Sequence, residues 1–199
     1  MKKIDIVSSI IIGEICAWLM IAIFKNINFQ FFRWWFLPIF LPILSLAGLY
    51  VAYFVSKKIS IVYQAAKFIL IGILNTLVDL GVLNLLIFVS DISTGFVFSS
   101  FKGISFIVAV INSYFWNKFW TFKKSNTVQP GKEFLQFLIV SLIGFGINVG
   151  VASLIVNLIG SPFQYSGVSE QIWANIGAII ASLVGMTWNF IGYKIFVFK

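Results

Sequence analysis

The chain has 199 residues, 60% hydrophobic and only 10% charged, with a mean hydropathy of +1.03. A soluble domain carries about a quarter charged residues, so a chain whose charges collect in short stretches between long apolar runs is a polytopic membrane protein. The net charge of +8, the absence of His and the single Cys16 exclude His-based metal sites, His acid–base catalysis and an intramolecular disulfide, and with no aromatic-plus-basic stripe on a soluble domain no nucleic-acid partner is expected.

A helix needs about 20 residues to cross the hydrocarbon core. Six segments qualify, at approximately 4–24, 34–56, 67–90, 96–120, 134–159 and 170–196. Met1-Lys2-Lys3 before the first has the start of a signal peptide. The apolar run that follows is too long, contains Glu14 and lacks a small-x-small cleavage site, so a retained helix is expected. Pro38 and Pro42 are predicted to bend the second span, because each removes a backbone donor and crowds the preceding turn. Stretches 57–66 and 121–133 connect spans on one side, and 25–33, 91–95 and 160–169 on the other. Pro130-Gly131, within the 121–133 connection, marks the break between two repeated halves of the chain.

Lysine and arginine set the orientation. One side holds Lys2, Lys3, Lys57, Lys58, Lys67, Lys118, Lys123, Lys124, Lys132, Lys194 and Lys199, and the other Lys25, Arg33 and Lys102. Eleven against three predicts both termini in the cytoplasm, in a multi-pass protein of the cytoplasmic membrane. Trp34 and Trp35 fit an outer interfacial belt, and Trp116 and Trp120 an inner one.

The later spans repeat. Lys67-Phe68-Ile69-Leu70-Ile71-Gly72 and Gln136-Phe137-Leu138-Ile139-Val140-Ser141 each open an apolar segment. Each leads through a short loop to a second segment with a similar ending, Ser113–Phe122 and Asn189–Phe198. In both endings a Lys stands four residues before the closing Phe. The openings are offset by 69 positions (68 to 137) and the endings by 76 (118 to 194). The expected fold is all-α: six transmembrane helices, with an N-terminal transmembrane hairpin over 1–60 ahead of a four-helix membrane domain over 61–199. That domain holds two repeats, at about 67–122 and 136–198. Two spans per repeat give both repeats the same orientation, related by an axis along the membrane normal.

The run Lys67-Phe68-x-x-x-Gly72-x-x-Asn75-Thr76-x-x-Asp79 resembles the opening of GtrA-like family proteins. The run Tyr114-Phe115-Trp116-Asn117-Lys118-Phe119-Trp120-Thr121-Phe122 is similar to that family's N-[RK]-x-W-x-F ending. The resemblance covers about 63–199. It implies a four-helix core that serves cell-surface polysaccharide synthesis or glycosylation. The implied task is flipping a polyprenyl phosphate (undecaprenyl phosphate in many bacteria), bare or sugar-loaded, across the cytoplasmic membrane. Two departures stand out. The hairpin is extra, and Asn148 stands where the first repeat has Asp79, which confines carboxylate chemistry to one half.

Charged and polar groups inside hydrocarbon are costly and mark candidate sites. Asp79 lies twelve residues from both Lys67 and Asp91, near the bilayer centre, with Asn75 and Thr76 on its face. The three form either a polar path or a hydrogen-bonded packing node. Asn112 and Asn148, with Asn157 and Asn175, are polar enough to join a cavity. Glu14 is also near mid-membrane, where an ion pair competes with a role in the path. Lys102 either snorkels outward or meets a phosphate or a carboxylate. Lys118 and Lys194 are repeat-equivalent at the inner interface. With neighbouring Asn117 and Asn189 they suit a lipid phosphate, the alternative being leaflet anchors. Gly144, Gly146, Gly177, Ala178, Ala181, Ser182 and Gly185 make small-residue faces for close helix packing.

The leading function is a lipid-phosphate or lipid-linked-sugar translocase, with Lys118, Lys194 and Lys102 on the phosphate and Asp79, Asn75 and Thr76 along the path. The runner-up is a non-transporting partner that anchors a membrane glycosyltransferase. No nucleophile–base motif is present, so the chain is read as not an enzyme, with no cofactor or metal. Six small helices around a headgroup path suit a homodimer.

Overall fold

The computed structural model describes residues 1–26, 34–92, 95–124, 127–155 and 170–198, with the backbone alone at 95, 98, 99, 102, 152 and 170–179. Six long helices follow one another: α1 (Lys3–Asn26), α2 (Leu37–Val55, after a 3-10 turn at Trp34–Phe36), α3 (Ile61–Ser90), α4 (Gly95–Trp116), α5 (Pro130–Ser153) and α6 (Glu170–Gly192). Among the described residues, five stretches are long and apolar enough to cross a membrane: Lys3–Asn26, Trp34–Val55, Ile61–Ser90, Pro130–Val151 and Ile180–Val197. The remaining helix, α4, has 22 residues, and at 1.5 Å per residue its length of about 33 Å also matches the hydrocarbon core. Large apolar side chains such as Ile43, Val51 and Phe88 point outward, each more than 60% exposed. That surface belongs in lipid, since soluble proteins keep exposed apolar patches small. The chain is an all-helical polytopic membrane protein.

Residues 1–125 form one compact unit and residues 126–199 another. In the first, α1 runs antiparallel to α2. The Ser45 hydroxyl donates to the Ser9 carbonyl at 2.6 Å, and Gly13 presses on the α2 backbone, where a Cβ would stand 2.5 Å from the Pro42 Cα. Helix α1 runs parallel to α3, because Asp5 pairs with Lys67 at one end and the Asn26 amide donates to Asn84 Oδ1 at 3.0 Å at the other. Between these ends lies the core of Ile12, Cys16, Leu49, Ile71, Leu74 and Trp120. The hairpin is therefore packed into the first unit, sharing its core with α3 and the ending of α4.

In the second unit α5 and α6 are antiparallel. Ser141 and Tyr193 share a hydroxyl hydrogen bond of 2.6 Å, the Trp188 indole donates to the Val140 carbonyl at 3.1 Å, and the Phe137 and Tyr193 rings stack at 4.2 Å. Glycines permit the approach: a Cβ on Gly192 would meet Val140 Cγ1 at 2.5 Å, and one on Gly185 the Gly144 carbonyl at 3.1 Å.

The duplicated endings share a backbone form. Helices α4 and α6 each continue into a five-residue π-helix, Asn117–Thr121 and Tyr193–Val197. Each is closed by an N–H reaching five residues back, from Phe122 to Asn117 and from Phe198 to Tyr193, both at 2.8 Å. The 76-residue offset of the sequence endings is the offset of these turns.

Helix bounds differ from expectation at three places. Helix α3 begins at Ile61, six residues before Lys67, because the lysine that reads as a boundary is neutralised inside the fold. Pro130 opens α5 rather than preceding it. At the first helical position a missing N–H costs nothing. Pro38 likewise occupies the first turn of α2, which runs unbroken through Pro42.

Candidate functional site

Polar side chains line the α3–α4 seam. Asn75, Thr76 and Asp79 share one face of α3, three and four residues apart, as helical spacing requires. The Ser105 hydroxyl of α4 donates to Asp79 Oδ1 at 2.6 Å, and the Asn112 amide reaches Asn75 Oδ1 at 3.4 Å, a weak bond. Thr76, exposed, bonds back to the Gly72 carbonyl of its own helix at 3.1 Å. Asp79 is half-buried, so its carboxylate borders the outer surface of this unit.

The second unit repeats the contact with changed chemistry. The Asn148 amide of α5 donates to Ser182 Oγ of α6 at 3.3 Å. Asn148 is offset 69 positions from Asp79, and Ser182 77 from Ser105. A charged acceptor in one repeat is a neutral donor in the other. Glu14 is half-buried on α1 and makes no ion pair among the described residues. The side chain of Lys102, and Asn157 and the side chain of Asn175, lie outside the described residues.

Lys118 and Lys194 differ although their positions correspond. Lys118 is 6% exposed, and its ammonium donates to the Tyr114 hydroxyl at 3.1 Å while lying 5.3 Å from that ring's centroid. Lys194 is exposed on its π-helix. The π turn of the first repeat buries Asn117, Lys118, Trp120 and Thr121 together, whereas that of the second buries Tyr193 and Val197. Asn117 spends its amide N–H groups on Ser113, at 2.9 Å to the carbonyl and 3.2 Å to the hydroxyl. Its Oδ1, and Thr121 Oγ1, are buried without a hydrogen-bond partner among the described residues. Asn189 packs over Gly144, and its Oδ1 is likewise without a partner. Each such acceptor is held at a cost of about 1–3 kcal/mol. An amide oxygen of this kind accepts from a hydroxyl or N–H donor.

Sequence reasoning missed one cluster. Asp5 and Lys67, each 1% exposed, form a buried ion pair. The Trp120 indole donates to the same carboxylate oxygen at 3.0 Å. The Lys67 ammonium lies 4.5 Å from the Tyr63 ring centroid and 5.3 Å from that of Trp120. Trp120 is 3% exposed and so is no interfacial anchor. An indole can leave the belt once its N–H has a buried acceptor. The sequence offers only an acidic residue close behind Lys2 and Lys3 at the start of an apolar run, and nothing in it pairs Asp5 with Lys67.

At the other end of this unit α1 and α3 line a half-open pocket of about 280 Å³, walled by Ala22, Ile23, Gly81, Leu85 and Phe88 with Lys25 and the Asn26–Asn84 pair at its side. Its lining is chiefly apolar.

The family model of the GtrA/DPMS transmembrane domain matches residues 67–198. A similar protein is the uncharacterized membrane protein YngA of Bacillus subtilis (strain 168), 32% identical over 132 residues that cover 66% of this chain and 77% of that one. No solved structure matches the chain.

Proposed function

Because the chain belongs to the GtrA/DPMS transmembrane family, and so to membrane proteins that handle polyprenyl-linked sugars, we propose that it moves a polyprenyl phosphate, bare or sugar-loaded, across the cytoplasmic membrane. The observation that carries this reading is the Asp79–Ser105 and Asn75–Asn112 seam between two helices of membrane-spanning length. A headgroup leaving water needs polar partners at depth, because unpaired polar groups in hydrocarbon cost several kcal/mol. Half-burial leaves Asp79 within reach of a headgroup while the prenyl tail stays in lipid. Lys118 meets the phosphate at the end of α4, and the buried Asn117 and Thr121 oxygens beside it accept from sugar hydroxyls. In the second unit Asn148 and Ser182 offer a neutral counterpart. Any drive comes from a gradient or from consumption on the far side. A homodimer would complete the path.

The expected test result is flux of a fluorescent short-chain polyprenyl-phosphate sugar in proteoliposomes. Asp79→Asn should abolish flux while the protein still folds, because the amide still accepts from Ser105 but carries no charge. Wild-type flux in Asp79→Asn would reduce the seam to packing. The reading as a partner that anchors a glycosyltransferase has one observation in its favour: Ser105 bonds Asp79 and Asn26 bonds Asn84 across helices of the unit, as interhelical glue would. Absent flux in the wild type, with glycosyltransferase activity that depends on the chain, would select it.

A further inference from the structure

We propose that Lys67, Trp120 and Tyr63 form a binding site for a phosphate monoester, and that the Asp5 carboxylate occupies it as an internal stand-in. The proposal rests on the lipid-phosphate reading for one thing only, the identity of the lipid that carries the phosphate.

The cradle belongs to the region matched by the family model, apart from Tyr63, and its occupant does not: Lys67 and Trp120 lie within 67–198, and Asp5 precedes it. Three donors converge on the carboxylate. The Lys67 ammonium and the Trp120 indole N–H, at 3.0 Å, both point at Oδ1. The Lys2 backbone N–H approaches Oδ2 at 3.4 Å. Donors of this kind, one cationic and two neutral, are what a phosphate oxygen shell takes. The charges do not balance. Lys2 and Lys123 also act electrostatically on Lys67, and Lys123 on Asp5. One carboxylate thus faces two cations, Lys67 and Lys123. A phosphate monoester, near a dianion at neutral pH, meets that field better than a monoanionic carboxylate or diester. The site therefore prefers the carrier phosphate without its sugar, since the sugar-linked form is a diester.

Release of Asp5 needs little of the fold to move. The residue sits in the first turn of α1, held there by its N–H to the Lys2 carbonyl at 3.0 Å, and helix ends fray readily. Helix α1 stays anchored by Ile12 and Cys16 in the core. Tyr63 and Trp120 wall the ammonium on two sides.

The test is calorimetric titration of the purified full chain with farnesyl phosphate, inorganic phosphate and the diester lipid phosphatidylglycerol. Asp5→Asn should bind farnesyl phosphate about tenfold or more tightly than the wild type, the worth of one vacated charge-assisted contact. Adding Lys67→Ala should remove the gain. A gain shared by inorganic phosphate assigns the site to free phosphate as well as lipid, and a gain with farnesyl phosphate alone assigns it to a lipid headgroup; both support the monoester site. Equal affinity of folded Asp5→Asn and wild type overturns it, as does a gain that survives Lys67→Ala or extends equally to phosphatidylglycerol. Should Asp5→Asn fail to fold, the wild-type cradle is read through Ser8→Cys, at a buried position of α1, with Cys16 buried as a silent background. Farnesyl phosphate should raise the maleimide labelling rate at position 8 as the start of α1 lifts, and an unchanged rate overturns the proposal. Flux without this binding sinks the site and leaves the transport reading, while binding without flux does the reverse.

Discussion

A single lysine distinguishes the repeats more sharply than any helix does. The ammonium of Lys118 is buried against Tyr114, while that of Lys194 is exposed. Desolvated charge contacts are worth about 1.5–3 kcal/mol, and exposed ones about 0–1 kcal/mol. Lys118→Ala should therefore weaken polyprenyl-phosphate binding about tenfold or more, and Lys194→Ala by about fivefold at most. The loop variant Lys123→Ala should match Lys194→Ala, as measured by titration of the purified protein. Equal losses at Lys118 and Lys194 would restore the symmetric site that the sequence suggests. Asp79 and Lys118 were legible because a charge inside an apolar run has few structural reasons to be there. The Asp5–Lys67 pair was not. It spans 62 positions and exists only because α1 and α3 run parallel in one register, a tertiary fact with no local mark. Glu133 was missed because the expected fifth span starts at 134, one residue past it, whereas α5 starts at Pro130. It is buried at the start of α5 and accepts from the Thr127 hydroxyl at 2.8 Å.

At the scale of the element, helix crossings depend on where a side chain is missing. Gly13 meets backbone atoms of Pro42 and Leu41, which cannot swing aside, whereas Gly48 on the partner helix has nothing within 4 Å of a Cβ. Gly13→Ala should thus lower stability by about 1–3 kcal/mol through overpacking. Gly48→Ala should be neutral or stabilising by up to about 1 kcal/mol from helix propensity. Unfolding midpoints in mixed micelles measure both, and equal midpoints would mean the α1–α2 crossing can open without loss. Six apolar runs of spanning length made the helices readable, and small residues at Gly144 and Gly185 made the α5–α6 crossing readable. The π turns were not. Their sequences repeat at a 76-residue offset, yet no residue type marks the extra residue per turn, and their regularity emerges only in the backbone. Such turns cluster at functional positions, and the first one holds Lys118 and Asn117.

For the molecule as a whole, the first unit gathers its cations at one end. Antiparallel packing of α1 on α2, and of α3 on α4, brings Lys2, Lys3, Lys57, Lys58, Lys67, Lys118, Lys123 and Lys124 to the same end. Lys25 and Asp91 lie at the other. We propose that the crowded end faces the cytoplasm, because lysine-rich segments are retained there during insertion. Lys67 reads as an interfacial charge but is buried and paired, and the asymmetry stands without it. Lys57 and Asp91 are both exposed and report the two faces directly. A Cys at position 57 should react with a membrane-impermeant maleimide only after cells are opened, and a Cys at position 91 should react in intact cells. The buried Cys16 keeps the background low in both. Labelling of position 57 from outside would invert the molecule, setting Lys118 and the Asp5–Lys67 cradle on the far side of the membrane, where they would receive a lipid phosphate returning from use rather than one leaving synthesis.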